Sequence, residues 1–180
     1  PSHTDYITLR PIEGGYTIID RMLKGKPIIV HGDGTSVWTL THNSDFAKGL
    51  VGILGNKRAI ADDFHITSDQ WLSWNQIYLQ LGKSWGVNPE IINIPSNIIA
   101  RYNKEIGDSL LGDKAHSMIF DNSKIKSIVP DFICTMPFEK GCDEIADWYK
   151  SDSNNQISDV QLDRLFDKII SDYKTYFAGI

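Results

Sequence analysis

Gly32, Asp33 and Gly34 are the first residues to suggest chemistry. They follow "PIIVH" at residues 27–31, and a strand running into G-x-G opens a dinucleotide-binding fingerprint. That fingerprint needs a third glycine and a helix whose N-terminus faces the pyrophosphate. Here the third position is Val37, and "VWTLT" has the composition of a strand. The glycines therefore read as a turn. Gly82-Lys83-Ser84 looks like the end of a phosphate loop, but the earlier glycine it requires is Ile77. There is no G-x-S-x-G and no H-E-x-x-H.

Other groups invite chemistry less strongly. Asp63 and His65 lie two apart, on one face of an expected strand, but a metal site wants a third ligand and none is evident. Trp71, Trp74 and Trp85 recur at helical spacing, which explains them as core. Asp143, Glu144 and Asp147 read as a solvated face. Cys134 and Cys142 form no metal pattern and read as buried or free thiols of a reducing compartment. With a net charge of -5 and scattered basic residues, the 180-residue chain lacks a phosphate-tracking surface, so no nucleic acid is expected. No apolar run is long enough to span a bilayer, and "PSHTDY" holds no apolar signal segment.

The elements that must position these groups follow from glycine and proline punctuation. Helices are expected over 16–24, ended by Gly25, and from Asn43 or Ser44 to Gly55, with Phe46, Leu50, Ile53 and Leu54 on one stripe. Strands 27–31 and 37–41 flank Asp33-Gly34, a strong hairpin signal. A short strand over 63–66 precedes a helix capped by Thr67 and Gln70, which carries Trp71, Trp74, Tyr78, Leu81 and Trp85. Then come a strand over 90–94, a helix over 96–106, a strand over 118–120, a helix over 122–129, and two amphipathic helices over 138–150 and 158–177. The fold class is α/β, helix-rich, with few short strands.

The order of the pieces carries a resemblance. "KGKPIIVHGDGTSVWTLTHNSDFAKGL", "DDFHITSDQWLSWNQI" and "KGCDEIADWY" follow one another as in the C-terminal half of an extended short-chain dehydrogenase, the NAD-dependent epimerase/dehydratase family. The T-H-N-S-D-F-A segment is similar to that family's T-H-V-x-D-x-A. The resemblance covers most of the chain and implies that residues 1–180 are the C-terminal substrate-binding lobe of an NAD(P)-binding Rossmann-type enzyme. The family's glycine-rich loop and Tyr-x-x-x-Lys pair are not in this sequence; Tyr102 with Lys104 and Tyr149 with Lys150 have the wrong spacing. The chain alone is thus expected to hold no catalytic residue, and to be a piece of a longer protein whose Rossmann half binds NAD or NADP.

The resemblance also assigns roles. Ser2, His3 and Thr4 would lie near the nicotinamide end of the cofactor. The strand holding Val30 would wall the substrate pocket. Counting back from Asp45, Trp38 stands where relatives acting on nucleotide sugars offer an arginine to the diphosphate. A ring stacks on a sugar but does not neutralise a diphosphate. His42 is a pocket candidate or a helix cap, and Lys124 a partner for an anionic group or an exposed lysine. The implied function is the substrate-binding portion of a cytoplasmic oxidoreductase or epimerase acting on a hydroxyl-bearing, sugar-like small molecule. A non-catalytic module that binds RNA or protein is the alternative. Apolar surface left by a missing half would favour self-association into a homo-oligomer.

Overall fold

The structure is a computed structural model and describes residues 2–4 and 15–178. Its elements are β1 (Ser2–Thr4), α1 (Tyr16–Leu23), β2 (Ile28–His31), β3 (Val37–His42), α2 (Asn43–Ile53), β4 (Trp71–Ser73), α3 (Trp74–Ser84), β5 (Ile91–Ile94), α4 (Ser96–Ile99) and α5 (Lys104–Ser109). A π-helical turn, Leu110–Lys114, continues α5; then come α6 (Ser123–Ile128), α7 (Phe138–Ser151) and α8 (Val160–Ala178). Among the described residues, no helix is long and apolar enough to cross a membrane.

The strands form two small sheets. One runs β1-β3-β4, with β1 parallel and β4 antiparallel to β3; the other pairs β2 and β5 in parallel. The expected hairpin between β2 and β3 is therefore absent, although its turn is present. Gly34 N–H closes back on the His31 carbonyl at 3.2 Å. Gly32 and Gly34 take φ of 61° and 73°, the left-handed region that glycine enters without steric cost. The turn is spent against α3: Asn75 donates its backbone N–H to the Gly34 carbonyl and its side-chain amide to the Asp33 carbonyl. A side chain on Gly34 would collide with Asn75, its Cβ 2.1 Å from Oδ1. With the turn held there, the two strands diverge into different sheets.

Other expectations shift for similar reasons. Residues 63–66 form no strand, and Trp71, expected on a helix, lies in β4 with half its surface exposed. The capping box is Ser73 with Gln76, not Thr67 with Gln70, so α3 begins at Trp74. Gln70 instead accepts the Phe138 N–H and donates to Glu139, tying the loop to the start of α7. The helix expected over 96–106 is broken into α4 and α5 around Asn103, whose side chain caps α5. The 118–120 segment contributes one parallel bridge, Met118 to Trp38.

The main core lies between β2, β5, α1, α3, α7 and α8. Arg21, fully buried on α1, ties it at the rim. Its guanidinium donates to the Pro27 carbonyl and to Asp163 and Asp167 of α8, which Lys26 also engages. A second, smaller core joins Ile66, Ile125 and Phe132 beneath α2.

α2 keeps half of its expected stripe: Phe46 and Ile53 pack against the second core, while Leu50 and Leu54 are 39% and 69% exposed. Its fully buried positions are Asp45 and Gly49. Gly49 is needed because α2 packs so closely that a Cβ there would sit 2.4 Å from Ile66 Cγ2. The helix thus meets the second core through Phe46, Ile53 and bare backbone, and turns its leucines outward. Accordingly, Gly49→Val should cost about 2 kcal/mol or more by overpacking, whereas Leu54→Ser should stay within about 0.5 kcal/mol. Urea denaturation of both variants checks the order.

Candidate functional site

The C-terminal end of β2 is where polar groups converge on an otherwise apolar core. His31 ends the strand, paired in register with Ile94 of β5. Its neighbours Ile28, Ile29 and Val30 are buried, and so is the imidazole, at 1% exposure. α3 starts at its capping box and brings the Trp74 indole edge-on to the imidazole, with centroids 5.1 Å apart. Trp38 of β3, 6% exposed, packs on the other side of Trp74 at 5.6 Å. Three rings in a row therefore line this end of the core.

A single carbonyl orients two of them, His31 and Trp74. The π turn closes through Ala115 N–H to the Leu110 carbonyl at 2.8 Å, and the chain then leaves the helix. The Lys114 carbonyl turns to other donors: His31 Nε2 at 2.9 Å, Trp74 Nε1 at 3.0 Å and, more weakly, Ser36 Oγ at 3.4 Å. A carbonyl only accepts, so His31 Nε2 carries the proton and Nδ1 is a bare acceptor. Nδ1 is buried and has no partner among the described residues. An unpaired buried acceptor costs about 1–3 kcal/mol, so it calls for an explanation. Burial pushes the His31 pKa down; the Lys114 charge adds to this, while the Lys114 carbonyl bond and Asp33 oppose it. Lys114 Nζ is itself engaged by Ser109 Oγ at 2.7 Å.

The residues expected from sequence fall in several places. Val30 and Trp38 share the main core and approach this end of β2. His42 ends β3, about 13 Å along the strand from Trp38 at ordinary strand rise. There His42 is itself the N-cap of α2, where Asn43 or Ser44 was expected. Its Nδ1 accepts from Ser44 and its Nε2 faces Glu144 at 2.9 Å. Glu144, expected to be merely solvated, thereby links α7 to β3. Lys124 lies against the second core, paired with Asp62 and stacked over Phe64, away from the three rings. His3 and Thr4 pair through their backbones with Thr41 and His42; their side chains lie outside the described residues. Exposed His65 donates from Nδ1 to the Asp121 carbonyl. Among the described residues, no group of three or more His, Cys, Asp or Glu side chains is placed to hold a metal.

Sequence reasoning passed over His31 and Asp45. The signal for His31 was an imidazole ending a run of buried β-branched residues. Asp45 is fully buried and accepts from the Thr135 and Met136 N–H groups and Lys48 Nζ, fastening residues 135–136 beside α2. Burial pushes its carboxyl up, but Lys48 and the two amides outweigh this and hold it below the usual carboxylate range. Both thiols are pushed up by burial, that of Cys134 to about 11, so neither is a nucleophile at neutral pH.

No family model matches the chain. UDP-glucuronic acid 4-epimerase from Bacillus cereus, solved with NAD and UDP-4-deoxy-4-fluoro-glucuronic acid, superposes with a TM-score of 0.58. It is 20% identical, and the match covers 80% of this chain and 41% of the epimerase. Its fold is that of the NAD-dependent epimerases and dehydratases. The chain carries only part of that epimerase fold, spanning about two fifths of the solved enzyme's length. Two curated relatives match over shorter stretches. The 2'-dehydrokanamycin reductase of Streptomyces kanamyceticus is 24% identical over 108 residues, 60% of this chain and 30% of the reductase. The chloroplast stem-loop binding protein of 41 kDa b of Arabidopsis thaliana is 26% identical over 88 residues, 48% of this chain and 23% of that protein.

The glycine turn of this epimerase-fold chain does not fit a dinucleotide. It runs into β3 instead of a helix, and Gly34 faces Asn75. No step through a nicotinamide is therefore assigned to these residues.

The depressed pKa values of His31 and Asp45 each contribute to the acid response. A group whose folded pKa lies below its unfolded value stabilises the fold above the unfolded pKa and loses that stability as pH falls. For His31 the loss begins below about pH 6.5, and for Asp45 below about pH 3.9. Chemical denaturation followed against pH should show both phases. His31→Phe should flatten the first and leave the second.

Proposed function

We propose that this chain is the substrate-holding part of an NAD(P)-dependent oxidoreductase or epimerase that acts on a hydroxyl-bearing, sugar-like small molecule. The observation that carries the reading is the epimerase likeness, which takes in four fifths of this chain but two fifths of the solved enzyme. Among the described residues the glycine turn makes no cradle for a pyrophosphate, and polar groups converge beside aromatic rings. Such a division leaves NAD(P), and the tyrosine that moves the proton, to the remainder of the fold. His3 and Thr4, on β1, are the residues of this chain assigned to the cofactor's nicotinamide end. Val30 and Trp38 belong to the substrate wall, with His42 a candidate at the far end of β3 and Lys124 a candidate for an anionic group beside the second core. Trp38 brings a ring to that wall, where a diphosphate would call for a cation.

A second reading, a non-catalytic RNA-binding module, is favoured by the relative named as a stem-loop binding protein. The net charge of -5 opposes it.

Titration of the 180-residue chain with NADH, followed by cofactor fluorescence, separates these readings when run beside a mobility-shift assay with stem-loop RNA. The expected result is no saturable NADH binding and no shift at physiological salt. Micromolar NADH binding would contradict the proposed division, and a saturable RNA shift would support the second reading.

A further inference from the structure

We propose that His31 Nδ1 is the atom with which this chain reads its ligand, accepting a hydrogen bond from a hydroxyl or amino group of a sugar-like ring. The proposal rests on the substrate-holding reading above and names the ligand chemistry at that site.

The tautomer decides the chemistry. His31 Nε2–H is committed to the Lys114 carbonyl at 2.9 Å, so Nδ1 has a lone pair and no proton. Nδ1 is buried without a partner, on a residue 1% exposed. Burial keeps the ring neutral at neutral pH, so Nδ1 can only accept. Ionised phosphate oxygens also only accept and cannot satisfy it. The ligand group seated here is therefore a donor.

Position agrees with chemistry. In α/β proteins ligands bind outside the carboxyl ends of parallel strands, and His31 is the last residue of β2, parallel to β5. Trp74 and Trp38 stand beside it in sequence of contact, buried rings that make its surroundings apolar. The charged groups that act on the imidazole are Asp33 and Lys114, of opposite sign, and the lysine is engaged by Ser109.

Two substitutions separate reading from scaffolding. His31→Asn keeps an acceptor near the place of Nδ1 and loses the bond to Lys114. His31→Gln keeps a donor near the place of Nε2 and loses the acceptor. Calorimetric titration of the wild-type chain uses kanamycin, UDP-glucose and UDP-glucuronic acid as donor-bearing probes and inorganic sulfate, fully ionised at neutral pH, as a donor-free one. At least one donor-bearing probe should bind, and sulfate should not. His31→Gln should weaken that binding about tenfold or more, with its melting temperature near wild type. His31→Asn should melt lower yet bind within a few-fold of wild type.

A purely structural histidine would reverse this order, with Gln binding and Asn failing, and would overturn the proposal. So would sulfate binding as well as the sugars, or no binding by any probe. If His31→Asn does not fold, the wild-type and His31→Gln affinities decide alone. Failure here with NADH still unbound would remove His31 from the ligand site and leave the substrate-holding reading in place.

Discussion

The Lys114 carbonyl oxygen holds the candidate site together. Three donors from separate parts of the chain reach it: His31 at the end of β2, Trp74 at the start of α3, and Ser36 after the glycine turn. It accepts them because the π turn has ended and the chain has left the helix. A carbonyl inside the helix would have spent that oxygen on its own backbone, whereas the last ones are left open. The end of the turn thus fixes which nitrogen of His31 carries the proton, and through it which chemistry remains at the other.

The surrounding fold serves this junction. Asn75 pins the glycine turn so that β2 and β3 part into separate sheets, which leaves the end of β2 beside α3 and the π turn. Arg21 fastens α1 to α8 and to the residue before β2. Asp45 and His42 perform the same office at the far end of β3, tying it to residues 135–136 and to α7. These polar anchors lie at the rims of the two cores, where buried groups find partners.

The helices were legible in the sequence because their spacing is local. α1, α3, α7 and α8 lie within a few residues of where apolar periodicity and glycine stops put them. The pairing of strands was not legible. Asp33-Gly34 signals a hairpin from four residues, whereas the true partner of β2 is some sixty residues away in β5. The face of α2 was legible in part: Phe46 and Ile53 do pack inward, but glycine has no side chain to announce burial, so Gly49 hid the closest approach and Leu50 and Leu54 drew attention outward. At the site, Trp38 was visible as a ring where the resemblance called for a cation. His31 was not, since its role depends on a carbonyl more than eighty residues away, and no spacing rule reports that.

The account turns on the protonation of one ring. Nitrogen-15 NMR of the imidazole of His31 in the ligand-free chain measures it directly. The predicted spectrum is that of a neutral ring with its proton on Nε2 and Nδ1 bare, held to lower pH than in an exposed histidine. A proton on Nδ1, or a ring that charges in step with an exposed histidine, would contradict the geometry from which the ligand chemistry was drawn.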